Sequence, residues 1–278
     1  MLNYNHYSMK IRIKNNTYLW IIALLVTLGA AYYQRVTGPT QPLRGTKEIG
    51  SGKLSYKLIR TYGGPDDAEI AINDEKGLFE GSLRFKRYKS YDEWTSMSLK
   101  RRGGKLVGYL PHQPPAGKIE YYVVVYQGSK QISLTDEPVI IRFKGDVPTG
   151  VLIPHIILMF LAMLFSTRTG IEAIAKGNQT FKLAWLTLLF LLTGGLIFGP
   201  IVQNYAFGAY WTGFPFGYDL TDNKTAIAFI FWAWAVFKLW RNPNQRGWAL
   251  LASVVLMLIY IIPHSTLGSE IDHTALPQ

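Results

Sequence analysis

The sequence predicts a membrane protein of the α+β class, in which an antiparallel β domain is inserted between the first and second of five transmembrane helices. Composition is the first observation: of 278 residues, 49% are hydrophobic and only 17% are charged, a low charged fraction for a soluble protein of this size. The second is that the apolar residues are concentrated in five runs. The third is that residues 34–147 instead form short runs typical of strands, several of them separated by glycine-rich turns.

The five apolar runs define the predicted helices and the domain limits. A transmembrane helix needs roughly 17–25 residues, and the shorter runs reach this length with their aromatic and basic flanks. The predicted spans are residues 18–33, 148–167, 181–202, 225–240 and 248–263, and the last four are expected to form a bundle. Outside them lie a short N-terminal segment (1–17), the β domain (34–147) and a C-terminal tail (264–278).

Basic residues near the helix ends predict the orientation. Lys10, Arg12 and Lys14 precede the first run, which places the N-terminus in the cytoplasm by the positive-inside rule. No small-residue cleavage pattern directly follows the apolar core, so we expect an uncleaved anchor in a bacterial inner membrane. The β domain, the loop at 204–224 and the tail are then extracytoplasmic, whereas residues 168–180 form a cytoplasmic loop.

The inserted segment is predicted to contain seven or eight short antiparallel strands. Within it, "YLPHQPPAGKIEYYVVVYQGSKQISLTDEPVIIRF" places a proline-bearing turn before a tyrosine-rich strand and a hairpin. This stretch of about 35 residues resembles the late strands of immunoglobulin and fibronectin type III-like domains. The resemblance implies a β-sandwich and implies no particular activity.

Charge and cysteine content exclude several classes of function. The formal net charge of +11 is divided into +3 in residues 1–17, +6 in residues 34–149 and +2 elsewhere, so we expect no nucleic-acid partner. Cysteine is absent, which excludes disulfides, iron–sulfur clusters and covalently attached c-type haem. Motifs of nucleotide-binding loops, zinc proteases and serine hydrolases are also missing.

Two histidines in a shared "IPH" context are the first candidate site. His155 lies near the outer end of the second predicted helix and His264 at the outer end of the fifth. They lie at similar depth if these two helices are neighbours, and intramembrane histidines are candidates for function. Met159 and Met257 share the faces of the two histidines, a combination that suits haem iron or copper. Acid–base chemistry and structural hydrogen bonding are the alternatives.

Carboxylates on the same outer face are a second candidate. Asp219 and Asp222 are three residues apart in "YDLTDNKT", and Glu270 and His273 lie in the tail, so together they could hold a hard cation. The alternative is structural, because Thr221 or Asp222 suits the N-cap of the fourth predicted helix.

Two further groups of residues are candidates for contact with lipid or a protein partner. The aromatic residues Trp211, Phe214 and Phe216 suit either an interfacial collar or a loop that binds a ligand. In the β domain, the basic residues Arg84, Lys86, Arg87 and Lys89 could contact anionic lipid or an acidic partner, or could form a solvated sheet face.

Taken together, these features favour a non-catalytic accessory or scaffold subunit of a bacterial envelope complex, which binds a membrane or periplasmic partner through its β domain. The second hypothesis is a membrane redox or metal-handling protein with His155 and His264 as ligands. The third is an outer-leaflet hydrolase that uses the same histidines with Asp219 or Asp222. Transport by this chain alone is disfavoured, because no charged residue is expected in mid-membrane.

Overall fold

The computed structural model describes residues 17–50, 52–263 and 268–274, and it shows a mixed helix and sheet protein. One helix precedes the β domain and a group of helices follows it. The helices are α1 Thr17–Thr37, α2 Thr149–Ile174, α3 Thr180–Phe190, α4 Gly199–Phe207, α5 Leu220–Arg241 and α6 Gly247–Ile261, with a π-helical segment, Leu191–Phe198, between α3 and α4.

Three sheets make up the β domain. Its strands are β1 Leu43–Ile49, β2 Gly52–Leu58, β3 Thr61–Tyr62, β4 Ala68–Asn73, β5 Glu80–Arg87, β6 Thr95–Ser98, β7 Lys100–Arg102, β8 Lys105–Leu110, β9 Lys118–Gln127, β10 Lys130–Ser133 and β11 Val139–Phe143. β1 and β2 form a hairpin, β4, β8 and β7 form a second sheet, and the largest sheet has the order β3-β11-β9-β5-β6, with β10 also paired to β9.

Alternating side chains from these sheets bury one hydrophobic core. On β9, Ile119, Tyr121, Val123 and Val125 point inward at every second position, as the period of a half-buried strand requires. The hydroxyl of Tyr121 donates a hydrogen bond to the carbonyl oxygen of Ile59 at 2.8 Å, so the buried phenol is satisfied. Burial of each large apolar side chain contributes about 1.5–3 kcal/mol.

The β domain differs from the sequence prediction in two respects. Its described residues form eleven strands where seven or eight were predicted, and the pairing of β3 with β11 is parallel, so the domain is not entirely antiparallel. The stretch at 95–102 is divided at the buried Leu99: β6 pairs with β5 in one sheet, and β7 pairs with β8 in another. The Leu99 side chain packs beside Gly81 and Gly108, where a Cβ would collide with it at 2.8 and 2.6 Å.

Three helical segments are long and apolar enough to cross a membrane: Thr17–Thr37, Thr149–Ile174 and Thr180–Phe207. They indicate membrane insertion with more than one pass. α6 is a shorter apolar helix of 15 residues. α5 has 22 residues but carries charged residues near both ends.

The long helix α2 is central in the packing of the helices. Trp20 of α1 lies against Phe165 of α2 with ring centroids 5.1 Å apart. The hydroxyl of Ser253 in α6 donates to the carbonyl oxygen of Ser166 in α2 at 2.9 Å. Gly194 in the π-helical segment allows close approach, since a Cβ there would lie 2.8 Å from the Cβ of Leu158. The assumed contact between the second and fifth predicted helices, α2 and α6, is therefore confirmed.

The prediction of a cytoplasmic loop at 168–180 is wrong for residues 168–174, because α2 continues to Ile174. In the added turns of α2, Glu172 forms an ion pair of 2.8 Å with Arg168, whose side chain is fully buried. The guanidinium carbon of Arg168 also lies 5.5 Å from the centroid of the Trp20 ring. The pattern of apolar residues gave no indication of this buried ion pair near the C-terminal end of α2.

Replacing Glu172 with Gln should strongly destabilise the helical part, because it leaves the buried guanidinium of Arg168 without its counter-charge. Removal of one partner from a buried ion pair costs about 3–5 kcal/mol. Unfolding of the purified protein in mixed micelles, with denaturing detergent as the variable, measures this loss. Glu93→Gln is the matched control, since Glu93 is exposed and its replacement should leave the midpoint unchanged. Equal midpoints for the two variants would contradict this account.

Candidate functional site

The β domain meets the helices at a junction where the two backbones touch. The amide of Gly145, just after β11, donates to the carbonyl oxygen of Ala206 in α4 at 2.9 Å. Glycine is required for this approach, because a Cβ at Gly145 would lie 2.4 Å from the carbonyl oxygen of Tyr205. The end of β11 is therefore fixed to the end of α4.

Arg142 is the buried cation of this junction. It lies between the core residues Ile141 and Phe143, and only 8% of its surface is exposed. Its guanidinium carbon is 3.7 Å from the centroid of the Phe207 ring, and its Nη2 donates to the carbonyl oxygen of Ser269 in the tail. Burial lowers the pKa of Arg142 to about 10, so the side chain remains a cation at neutral pH.

Asp219 is the carboxylate opposite Arg142, and it joins three segments. As the N-cap of α5, its Oδ1 accepts a hydrogen bond from the amide of Thr221 at 2.8 Å. Its Oδ2 accepts from the amide and hydroxyl of Ser269 at 2.8 and 2.9 Å, and from the hydroxyl of Thr212 at 3.2 Å. Burial alone raises its pKa, but the hydrogen bonds from Ser269, Thr221 and Thr212 outweigh that effect and lower it.

Asp222 holds the loop that precedes α5. Its Oδ2 accepts hydrogen bonds from the amides of Thr212 and Gly213 at 2.6 and 3.0 Å, and from the side-chain amide of Gln203 at 3.0 Å. A Cβ at Gly213 would lie 2.6 Å from the Cβ of Asp222, so only glycine fits there. The predicted capping by Thr221 or Asp222 is wrong in its detail, because Asp219 is the cap and Asp222 binds the loop.

The tail segment 268–274 lies against the β domain through Glu270. One carboxylate oxygen binds Nζ of Lys89 and the other binds Nζ of Lys118. The amide of His273 also donates to the carbonyl oxygen of Lys89 at 2.9 Å. Burial raises the pKa of Glu270, but the hydrogen bonds from Lys118 and Lys89 outweigh it, so the pKa lies below its ordinary value.

A cavity of about 610 Å³ lies at this junction, and we call it the junction cavity. Residues from the end of α1, the β domain, the loop before α5 and the tail all contribute to its wall. They are Pro39, Thr40, Arg60, Tyr88, Lys89, Lys118, Ile140, Arg142, Thr212, Tyr218, Asp219, Gly268, Ser269 and Glu270. Charged side chains from the β domain, the loop before α5 and the tail therefore share one space.

The predicted cation ligands are distributed over two clusters of contacts. Asp219 and Asp222 both bind Thr212, whereas Glu270 is paired with lysines and His273 lies 3.4 Å from Arg87 through its Nδ1. Within residues 17–50, 52–263 and 268–274, no group of three His, Asp or Glu side chains is arranged to hold a metal. The hard-cation site stays a prediction.

Of the two histidines in the first candidate site, only His155 lies among the described residues. His155 is part-buried on α2, and its Nδ1 lies 2.9 Å from the carbonyl oxygen of Gly194. Met159 lies one turn further along α2 and Met257 lies on α6, and both pack against the buried core of the helices. His264 lies outside the described residues, so the pairing of the two imidazoles stays a prediction.

The aromatic loop exposes most of its rings. Phe214, Phe216 and Tyr218 are 76%, 82% and 93% exposed, while the indole nitrogen of Trp211 donates to the carbonyl oxygen of Phe214 at 3.1 Å. Large exposed aromatic side chains beside helix ends are typical of a membrane interface.

The predicted basic group of the β domain divides into two parts. Arg87 and Lys89 are engaged with carboxylates, Arg87 with Asp92 at 2.7 Å and Lys89 with Glu270. Arg84 and Lys86 lie over the ring of Trp94, at 5.9 and 5.6 Å from its centroid, and Lys86 also pairs with Glu120 at 3.5 Å. Lys89 likewise lies 5.9 Å from the centroid of the Tyr88 ring. The two parts therefore differ in the ring that they face, and both include a contact with a carboxylate.

Sequence reasoning missed several residues of the junction cavity, above all Arg142, Lys118, Thr212 and Ser269. A signal for Arg142 was present, because in "VIIRF" an arginine interrupts a strand whose neighbouring residues are all apolar. Its partners are not adjacent in sequence, and no local pattern identifies them.

A short stretch of this chain is similar to a known protein. No family model matches the chain, and no solved structure matches it. Over 77 residues it is 36% identical to the cytochrome c biogenesis protein CcsA of Triticum aestivum. That stretch covers 26% of this chain and 21% of the relative, so the chain spans about a fifth of the length of the protein it matches.

Replacing Asp219 with Ala should free the tail and weaken the start of α5. Loss of an N-cap alone costs about 0.5–2 kcal/mol, and the three hydrogen bonds to Ser269 and Thr212 are lost with it. Hydrogen–deuterium exchange should become faster in residues 268–274 and in the first turn of α5. Asp136→Ala is the control, since the side chain of Asp136 is 95% exposed. Unchanged exchange in the tail would show that Asp219 does not hold it.

The contribution of Glu270 to stability should depend on pH. Because its pKa in the folded protein lies below the ordinary value of 4.5, the contribution is complete above that pH and is lost as the pH falls through the lowered pKa. The thermal midpoints of the native protein and of Glu270→Gln should therefore differ at neutral pH and converge in acid. Glu75→Gln, at an exposed position, should show no such convergence. A constant gap for Glu270→Gln at every pH would refute the ion pairs.

Proposed function

We propose that this chain is an accessory or scaffold subunit of a bacterial envelope membrane complex, and that it binds a protein partner through its β domain. The carrying observation is one partly exposed surface, formed by the exposed Arg84 and the half-buried Lys86, Trp94 and Tyr122, which we call the Trp94 face. The two cations lie over the Trp94 ring, and the centroids of Trp94 and Tyr122 are 5.4 Å apart. Tryptophan, tyrosine and arginine are the residues most enriched among those that dominate binding energy at interfaces.

An open strand edge lies beside the Trp94 face. β6 is at the end of the largest sheet and is exposed along its whole length, and among the residues that the structure describes it pairs only with β5. Such an edge presents unpaired amides and carbonyls to which an extended segment of a partner can add. A partner that offers a carboxylate to Arg84 and a strand to β6 fits this surface best, since Lys86 already pairs with Glu120.

The junction supports the scaffold role because it makes the β domain and the helices one unit. Gly145, Arg142 and the tail all connect β11 to the helix ends. A partner held on the Trp94 face would therefore be kept at a fixed position relative to the membrane.

The finer architecture belongs to the same proposal. We infer five spans, with α5 and α6 added to the three long apolar helices, and an immunoglobulin or fibronectin III-like sandwich for the β domain. α5 has the length of a span, and the contacts of α6 with α2 favour insertion beside it. The proposed membrane is the bacterial inner membrane, with the N-terminus cytoplasmic and the β domain and tail outside.

Replacing Trp94 with Ala tests the scaffold proposal. A photoreactive residue at Ser96 on β6 should form a crosslinked adduct in cells, and Trp94→Ala should reduce its yield about 30-fold if it removes about 2 kcal/mol of binding energy. Membrane insertion of the variant is checked by fractionation.

Tyr109→Ala, which removes an aromatic residue on a different sheet, is the matched control and should leave the adduct unchanged. A photoreactive residue at Lys130, on β10, reports whether crosslinking is specific to the β6 side. The proposal would be contradicted if no adduct formed at Ser96, or if the adduct yield of Trp94→Ala equalled that of the native protein.

A second candidate function is haem or copper binding through His155, and two observations favour it. The imidazole is part-buried, with Nδ1 oriented by the Gly194 carbonyl, an arrangement that suits a ligating histidine. The second is the 77-residue similarity to a protein named for cytochrome c biogenesis.

Under this candidate, purified protein should carry about one haem or copper per chain, and His155→Ala and His264→Ala should both lose it. His112→Ala, in the β domain, should retain it. Protein free of both cofactors would eliminate this candidate.

A further inference from the structure

The junction cavity has more cationic than anionic side chains. Its cations are Arg60, Lys89, Lys118 and Arg142, and its anions are Asp219 and Glu270, which leaves a formal excess of two positive charges (four minus two). Each of these side chains belongs to a different turn, strand or loop. A concave space with this balance of charge attracts an anion.

The buried guanidinium of Arg142 is not fully bonded. Its Nη2 binds the Ser269 carbonyl and its face stacks on Phe207, but Nε is buried and has no hydrogen-bond partner among the described residues. A buried donor without a partner is rare in native structures and calls for an explanation. The side chain also contributes to the wall of the junction cavity, where an anion would lie beside the positive charge of the guanidinium.

Glu270 shows what kind of group this space accepts. Its two carboxylate oxygens each bind a different lysine, Lys89 or Lys118. This is how two ammonium groups bind an oxyanion, and here the oxyanion is supplied by the tail of the same chain. A phosphate presents the same oxygens with a larger charge.

We propose that the junction cavity binds a phosphate group, with Arg60, Lys118 and Arg142 as its ligands and the Glu270 carboxylate as an internal competitor. The phosphate either adds beside Glu270 or displaces it and releases the tail. The cavity lies at the ends of helices, since Pro39 and Thr40 follow α1 and Asp219 caps α5. A lipid headgroup and a soluble phosphate are therefore both sources of the same chemistry. This proposal rests on the junction and not on the Trp94 face.

Titration calorimetry of the full chain in non-ionic detergent tests the site, with inorganic phosphate and short-chain phosphatidylglycerol as separate probes. Lys118→Gln and Arg60→Gln should each weaken binding about 10-fold, as expected for loss of one charge-assisted hydrogen bond. Glu270→Gln should tighten binding, because it removes the competitor's charge. Lys130→Gln, at an exposed lysine outside the cavity, is the matched control and should change nothing.

The two probes distinguish the sources of the phosphate. Binding of inorganic phosphate supports a soluble ligand, and binding of phosphatidylglycerol alone supports a lipid headgroup. No binding of either probe at millimolar concentration would overturn the proposal. Binding that is equally strong in Lys118→Gln, Arg60→Gln and Glu270→Gln would overturn it as well, because the anion would then lie elsewhere. Arg142→Gln is measured only after its thermal midpoint shows that it folds, and the other variants decide the question without it.

Discussion

The hydrogen bonds of the Asp219 carboxylate determine how the two parts of this protein fit together. One oxygen caps α5, and the other binds Thr212 in the preceding loop and Ser269 in the tail. Ser269 in turn accepts from Arg142, which belongs to the last strand of the β domain. A strand, a loop, a helix and the tail are thus joined around one anion. Its lowered pKa shows that the ionised form is the one that the fold stabilises.

This arrangement explains why the aromatic loop can expose so many rings and still have a defined structure. Its backbone is held from within, by Asp222 at Thr212 and Gly213 and by the side-chain oxygen of Asn223, which accepts from the amide of Phe214 at 2.7 Å. The side chains of Phe214 and Phe216 are therefore not needed for the loop's own core. They remain free to contact lipid at the interface, where aromatic rings are favoured.

Sequence patterns predicted the elements better than the site. Periodicity gave most strands and the helical runs, because burial repeats at every second residue on a strand such as β9 and apolar residues dominate a helix such as α2. It did not predict that α2 continues through Arg168, since a charged residue ends an apolar run unless a partner neutralises it. Nor did it predict Arg142 with Ser269, which is 127 residues away. Local pattern carries no information on contacts of that kind.

The two buried arginines show why such contacts matter for function. Arg168 has a carboxylate one turn away, at 2.8 Å, so its charge is neutralised within α2. Arg142 has no carboxylate so close: it binds a carbonyl oxygen and a ring, and Asp219 acts on it through their charges. Charge burial is costly when pairing is incomplete. Arg142 is therefore the buried arginine whose charge is offset less directly, and it lies in the wall of a cavity with excess positive charge. A bound anion there would offset that charge, as the carboxylate of Glu172 does for Arg168.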